Sequence, residues 1–483
     1  MRTVIGLEVH AQLLTKTKLF CSCSAEYFGA PPNAHTCPVC LGMPGALPVT
    51  NERAVEYALR AALALHCEIL PRSTFARKNY FYPDLPKGYQ ISQFDAPLAV
   101  RGYLDLPTGT RIRIRRVHLE EDAGKLLHTD EGVSLIDFNR AGVPLIEIVS
   151  EPDLSSPEEA RLYMEELRRV LRYLGVCSGD MEEGSLRCDA NISVQVQTSS
   201  GLFAFAGQGL AIWKPTRSVK TEIKNMNSFR AVEEALKYEE QRQREILERG
   251  GTLTQETRLW NEKTGQTEPM RTKEESEDYR YFPDPDLVPL QIDDAWRERV
   301  MRSLPELPAA KRARWAQEYK LPEYDIAVLT EERPIAEYFE AVVKLYPHPK
   351  DVSNWMMSEL LRLMKESSSQ QIPLKPEYFA HVLQMVSSGQ INRTVAKDVI
   401  AESFQTGKAP EEIVRERGLG QISDASLLAE IVTRVLAENP KAVADFKAGK
   451  EAVIGFLQGQ VMKATGGKAD PQKTKELLIQ KLK

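Results

Sequence analysis

Five short apolar stretches in the first half of the chain carry carboxylates among apolar neighbours. They are Ile5-Gly-Leu-Glu8-Val-His10, Val117-His-Leu-Glu120-Glu121-Asp122, Pro144-Leu-Ile-Glu147-Ile-Val149, Leu186-Arg-Cys-Asp189-Ala-Asn191-Ile-Ser193 and Ser218-Val-Lys-Thr-Glu222-Ile223. Side chains on a strand alternate faces, so Glu8 and His10 share one face while Ile5, Leu7 and Val9 share the other. Any one of these alone reads more readily as an ordinary half-exposed strand of an antiparallel sheet than as a ligand set. Together they gather the acidic and amide oxygens that hold Mg²⁺, and so point to a site for a divalent cation and phosphate.

A second set of spacings is chemical. Cys21-Ser-Cys23 and Cys37-Pro-Val-Cys40 give C-x-C and C-x-x-C, a pattern that can close a tetrahedral Zn²⁺ site; reduced thiols or a redox pair are the alternatives. With four sulfur ligands such a zinc is structural. The remaining cysteines, Cys67, Cys177 and Cys188, have no partner at ligand spacing and read as small core residues. Seven cysteines in a long chain without a signal peptide argue against a disulfide framework.

Positioning these residues takes several elements. Ser156, Pro157 and Glu159 form a capping box with proline at the first helical position, followed by an apolar stripe from Ala160 to Leu174 and a stop at Gly175. Further helices are expected from about Asn51 to Leu65, with Val55, Leu59 and Leu63 inward, and from about Arg230 to Arg249. Strands between them, without a regular βαβ period, predict an α+β fold with a mainly antiparallel sheet. After Pro283-Asp-Pro285-Asp286 the texture becomes helical, and Thr406-Gly-Lys-Ala-Pro410 reads as a linker before a small helical tail. The expected domains are therefore 1–292, 293–407 and 408–483.

At 483 residues, 42% hydrophobic and 27% charged, the chain is long enough for two or three domains. It shows no bilayer-length apolar run, so no membrane association and a cytoplasmic location are expected. The formal charge of -5 is uneven: residues 441–483 carry nine Lys against four acidic residues, 9 - 4 = +5, leaving -10 elsewhere. A basic end is usually a solvated surface and favours an RNA partner only slightly. There is no G-x-x-x-x-G-K-[ST] loop, G-x-G-x-x-G turn or G-x-S-x-G elbow, so a bound phosphate would need a metal.

Longer motifs connect these features. They include Val4-Ile-Gly-Leu-Glu-Val-His10, Cys37-Pro-Val-Cys-Leu-Gly-Met-Pro-Gly-Ala-Leu-Pro48, Lys78-Asn-Tyr-Phe-Tyr-Pro-Asp84 and Gly88-Tyr-Gln-Ile-Ser-Gln93. His118-Leu-Glu-Glu-Asp-Ala-Gly-Lys125, the run Asp137 to Asp153, Glu183 to Ile192, Thr221 to Ser228, Asp278 to Asp286 and Gly455 to Gly467 continue in the same order. Over nearly the whole chain they resemble one family, the B subunit of the glutamine-dependent amidotransferase that makes Gln-tRNA(Gln) and Asn-tRNA(Asn) from misacylated precursors. A related archaeal E-type subunit carries an extra inserted domain for which this chain has no room.

The resemblance implies a glutamine-synthetase-like cradle domain, then an all-α helical domain, then a tail that touches tRNA. It implies that ATP phosphorylates the side-chain carboxylate of misacylated tRNA, and that ammonia from a glutaminase A subunit displaces the phosphate. The complex would be a heterotrimer with A and C subunits. By match to the family's motifs, Glu8, His10, Glu121 and Glu222 are expected on Mg²⁺, with Glu120, Glu147, Asp189 and Asn191 as supporting or second-metal candidates. Lys125, Arg187 and Lys224 could clamp phosphate or substrate, and equally could form surface salt bridges.

The run Asn79 to Tyr82 with Lys78, Lys87 and Gln90 could pack an adenine, or could be a turn with a small aromatic core. Tyr80, Asn139 and Asn225 join that candidate substrate set. Val461, Met462, Lys463 and Lys468 could meet the tRNA through backbone contacts. Phe203 to Pro215 departs from the family pattern as an insertion before Glu222. The competing readings are a free-standing ligase amidating a small acid, and a noncatalytic tRNA-binding scaffold.

Overall fold

The computed structural model describes residues 1–129, 131–196, 219–270, 279–367, 371–419, 425–447, 450, 452–465, 469 and 471–482. Contacts divide the chain into two units, Met1–Leu307 and Pro308–Lys483.

The first unit is built on a nine-stranded sheet. Its strands in chain order are β1 (Arg2–Gln12), β2 (Glu68–Ile69), β3 (Ala99–Asp105), β4 (Arg111–Glu121), β5 (Pro144–Ser150), β6 (Leu186–Gln195), β7 (Thr221–Met226), β8 (Glu256–Asn261) and β9 (Gln266–Pro269). They lie in the order β9-β8-β7-β6-β1-β5-β4-β3-β2, antiparallel throughout except for the parallel pair β7–β8. The five carboxylate-bearing stretches are the five neighbours β7-β6-β1-β5-β4, although Ser218 itself lies outside the described residues.

Register explains how one sheet carries both a core and a polar surface. Directly paired residues of an antiparallel ladder point to the same face. Glu8 pairs with Asp189, His10 with Arg187 and Glu147, Glu147 with His118, and Asn191 with Glu222, so these residues share a face. The opposite face presents Ile5, Leu7, Val9, Val117, Leu119, Ile146, Ile148, Ala190 and Ile192, all fully buried. Those side chains join one cluster with α1 (Glu52–Ala64), α2 (Pro157–Leu174) and α3 (Phe229–Glu248).

The helix signals are realised at the atomic level. Asn51 Oδ1 accepts from Arg53 N and Ala54 N at the start of α1, and Ser156 Oγ accepts from Glu159 N at the start of α2. Gly175 ends α2 with φ +66°, a conformation that costs a residue with a Cβ. Val55 and Leu59 are buried as expected, and Leu63 is half-buried. A fourth helix, α4 (Asp294–Arg302), packs on α1 and puts Val300 into the same core, so the first unit continues past the expected boundary at 292.

The second unit is helical. Among the described residues after Gln291 no strand occurs. Its apolar residues form two separate clusters, one from Trp315 to Ile413 and one from Leu428 to Leu482. No described helix is long and apolar enough to cross a membrane.

Candidate active site

The polar face of the sheet brings a titratable group of four to one place. His10 Nε2 lies 3.3 Å from Glu120 Oε1 and 3.5 Å from Glu147 Oε2. On the other side of the carboxylates, His118 Nε2 lies 3.2 Å from Glu147 Oε2 and 3.8 Å from Glu120 Oε2. His118, Glu120 and Glu147 are buried and His10 is half-buried. Burial works against the charge of His10, but the hydrogen bond to Glu147 and the field of Glu120 outweigh it and raise its pKa to about 9. Burial likewise opposes charge on Glu120 and Glu147, and the two histidines outweigh it, holding both carboxyls below their usual range.

A second acidic group lies one strand over. Asp189 and Glu222 share Lys224, whose Nζ is 2.6 Å from Asp189 Oδ2 and 3.0 Å from Glu222 Oε1. Glu8 stands between the two groups, with Oε1 accepting from Asn191 Nδ2 at 3.0 Å. Its pKa is raised by burial first, then by Glu147, Glu222 and Asp189. The face is thus a row of carboxylates partly neutralised by fixed cations, with His118 Nδ1 buried and unpartnered.

The donor atoms of His10, Glu120 and Glu147 lie within 4.8 Å of one another. One imidazole nitrogen and two carboxylates suit a hard divalent cation such as Mg²⁺ or Mn²⁺. The four Sγ atoms of Cys21, Cys23, Cys37 and Cys40 also lie within 4.8 Å, and an all-thiol set suits Zn²⁺. The backbone turns tightly there: Leu41 N donates to Cys37 O and Gly42 N to Val39 O, both at 3.0 Å. The Cys40 thiol is drawn below its usual range by Cys21, the Cys37 backbone and the buried ammonium of Lys18.

Several expected residues sit elsewhere. Glu121 follows the parity of Val117 and Leu119 rather than of Glu120, so it points away from His10. Its Oε1 accepts from Ile91 N at 2.9 Å, and both oxygens meet Lys87 Nζ. Gln90 Nε2 donates to Glu121 O at 2.7 Å. Asn139 is fully buried; it accepts from His35 N and donates to Pro31 O, both at 2.7 Å, and so braces a loop rather than facing a substrate. Lys125 lies exposed on a separate hairpin. Asn225 takes φ +67° beside a bulge and donates to Trp260 O at 3.0 Å. Arg187 is half-buried and pairs with the buried carboxylate of Asp122 at 2.9 Å.

The aromatic run forms one wall. Lys78 Nζ lies 4.7 Å from the Tyr279 ring centre and 5.7 Å from that of Tyr80. Tyr80 donates to Gln90 Oε1 at 3.5 Å, Asn79 Nδ2 holds Arg280 O at 2.9 Å, and Tyr82 is exposed. Tyr281 stacks on Phe94 with ring centres 4.2 Å apart; its hydroxyl pKa is pushed up by burial first, then by Glu120 and Glu147. Sequence reasoning left Tyr279, Tyr281 and His118 without a role. His118 was accessible, since it stands two residues before Glu120 on a strand.

In the tail, Lys463 is exposed on the helix Val453–Ala464, but Val461 is fully buried and cannot meet a ligand as expected. Lys468 and the insertion Phe203 to Pro215 lie outside the described residues.

Comparison with known proteins agrees over the whole chain. Residues 3–298 match the GatB/GatE catalytic domain and residues 337–482 match the GatB domain. The B subunit of the aspartyl/glutamyl-tRNA(Asn/Gln) amidotransferase of Thermodesulfovibrio yellowstonii is 54% identical over 485 residues, 99% of each chain. Its counterparts in Thermoanaerobacter pseudethanolicus and Thermotoga neapolitana are 53% and 52% identical, covering 99% and 100% of this chain and 98% of each relative. Full-length similarity to complex subunits does not favour a free-standing ligase or a scaffold. With both domains matched in order and relatives above half identity from end to end, the chain belongs to the GatB family of tRNA-dependent amidotransferase B subunits.

Proposed function

We propose that this chain activates the side-chain carboxylate of Glu-tRNA(Gln), Asp-tRNA(Asn) or both, and then amidates it. The observation that carries the reading is the histidine–carboxylate group on the polar face of the sheet, with a second acidic group beside it. A carboxylate oxygen of the substrate attacks the γ-phosphorus of ATP and ADP leaves. Ammonia then attacks the carbonyl carbon of the acyl phosphate, and phosphate departs with the electrons of the broken C–O bond. Such a transfer needs positioning and charge neutralisation more than a covalent nucleophile.

His10, Glu120 and Glu147 would hold Mg²⁺, which when bound neutralises charge on the phosphate oxygens. Glu8, Asp189 and Glu222 border the same space, and Lys224 holds a positive charge there. Lys78, Tyr80 and Tyr279 offer a ring-and-ammonium wall for a base. Zn²⁺ on the four cysteines would fix the loop they close. The first unit would serve as the cradle, with a helical domain near 293–407 and a tail beyond 408 that meets tRNA through groups such as Lys463. Ammonia would come from a glutaminase A subunit in a cytoplasmic heterotrimer with a C subunit.

The test is ATP hydrolysis and product formation by the chain assembled with A and C subunits, with and without Glu-tRNA(Gln), for wild type and Glu120→Gln. Charged-tRNA stimulation that the variant loses supports the reading. Turnover of free glutamate without tRNA would instead support a small-acid ligase, and undiminished product from the variant would leave a scaffold.

A further inference from the structure

The four-cysteine loop lies against the Lys87–Glu121 pair, next along the strand to Glu120. A cavity of about 190 Å³ is lined on one side by Cys21, Cys40 and Gly42, and on the other by Lys87 and Glu121. Two glycines make the contact. Gly42, two residues after Cys40, has φ +66°, and the stem of Lys87 lies across it. A Cβ at position 42 would collide with Lys87 Cγ and sit 3.0 Å from Lys87 Cα, an atom that cannot swing aside as a side-chain tip can. Gly142 fills the other gap: a Cβ there would lie 3.5 Å from Cys40 Cβ and 3.9 Å from Glu121 Oε2.

Lys87 has little freedom once its stem is placed. Its ammonium meets both oxygens of Glu121, and both side chains are almost wholly buried. An unpaired carboxylate in that position would lose its compensating charge. Glu121 in turn anchors two neighbours, accepting from Ile91 N at 2.9 Å through its side chain and from Gln90 Nε2 at 2.7 Å through its backbone. It also directly follows Glu120, which faces His10.

We propose that the metal-closed cysteine loop is a positioning element for the Lys87–Glu121 pair, with Gly42 as the residue through which it acts. The loop supplies a bare backbone surface at a fixed height, and only glycine leaves room for the lysine stem. The proposal rests on the reading of the four cysteines as a zinc site only for the part given to the metal; the Gly42 contact stands on geometry alone.

The amide of Ile91 reports on the pair directly, because its acceptor is Glu121 Oε1. Hydrogen exchange at Ile91 is followed in the full chain assembled with its partner subunits, for wild type, Gly42→Ala, Gly42→Asn and Gly45→Ala, with zinc content measured on each sample. Gly45 has φ +84° and nothing within 4 Å of a Cβ, so Gly45→Ala carries the backbone strain of the change without the collision. Asparagine tolerates positive φ yet still has a Cβ, so Gly42→Asn keeps the collision and relieves the strain.

The expected result is exchange at Ile91 faster by about tenfold or more in both Gly42 variants, with zinc retained, and unchanged in Gly45→Ala. Chelating zinc from the wild type should produce the same acceleration. Protection at Ile91 that survives Gly42→Ala, or that Gly42→Asn restores, overturns the proposal. Loss of zinc without a change at Ile91 overturns the part given to the metal.

Discussion

Divalent-metal binding to the His10, Glu120 and Glu147 group should depend steeply on pH, in a direction the geometry dictates. His10 Nε2 faces both carboxylates at 3.3 and 3.5 Å and has a pKa raised to about 9, so at neutral pH that nitrogen carries a proton where a metal would bind. Both carboxyls are held below their usual range and do not titrate near neutrality. The ion must therefore displace the His10 proton, and affinity falls as pH drops below about 9. Each unit of pH below that point weakens binding by about tenfold, or about 1.4 kcal/mol. From pH 8 to pH 7 the apparent Kd for Mn²⁺ should rise by about that factor. Calorimetry in buffers of different ionisation enthalpy measures both the affinity and the protons released. A steeper slope would mean that His118 gives up its proton as well. His10→Gln, which offers an amide oxygen in place of the imidazole nitrogen and has nothing to deprotonate, should flatten the profile. An affinity that changes less than about twofold between pH 6.5 and 8, with no proton release, would refute the reasoning.

Two further outcomes follow from named contacts. Lys224→Met removes the cation shared by Asp189 and Glu222, so the variant should bind an additional Mn²⁺ ion beside Glu8; an unchanged stoichiometry by electron paramagnetic resonance would count against Lys224 as the neutralising charge. Gly102→Ala drives a methyl group onto Cys67 Sγ and to 2.6 Å from Leu65 O, and should lower stability by about 1–3 kcal/mol in thermal or urea unfolding; a stability equal to wild type would show that strand β3 can shift there.

Much of this organisation is readable in the chain, for physical reasons that differ by element. The caps at Asn51 and Ser156 are local hydrogen bonds, so residue type and spacing suffice to place α1 and α2. Alternation in Ile5 to His10 is equally local, and it correctly puts Glu8 and His10 together. The adjacent pair Glu120–Glu121 is harder, because this end of the strand is buried on both faces and each carboxylate has a compensating partner from elsewhere in the chain. Lys87, 34 residues away, neutralises Glu121, while His10 and His118 neutralise Glu120. Parity with His118 favours Glu120 as the member facing His10, whereas motif resemblance put Glu121 first and Glu120 in a supporting place. Asn139 shows the same limit: its burial depends on the loop containing Pro31 and His35, over a hundred residues earlier.

The register of the five central strands has a consequence for how such a chain can change. Odd and even positions of β1 serve separate tasks, one set closing the interior against α1, α2 and α3 and the other set presenting acids and histidines. A deletion of a single residue within β1, β4, β5, β6 or β7 would exchange the two sets at once, turning carboxylates inward and aliphatic groups outward. These segments are therefore closed to changes in length, whereas the connections between them are free to grow. Residues 203–215, read from the sequence as an insertion, fall in chain order between the end of β6 at Gln195 and the start of β7 at Thr221, where a change of length shifts neither strand's register.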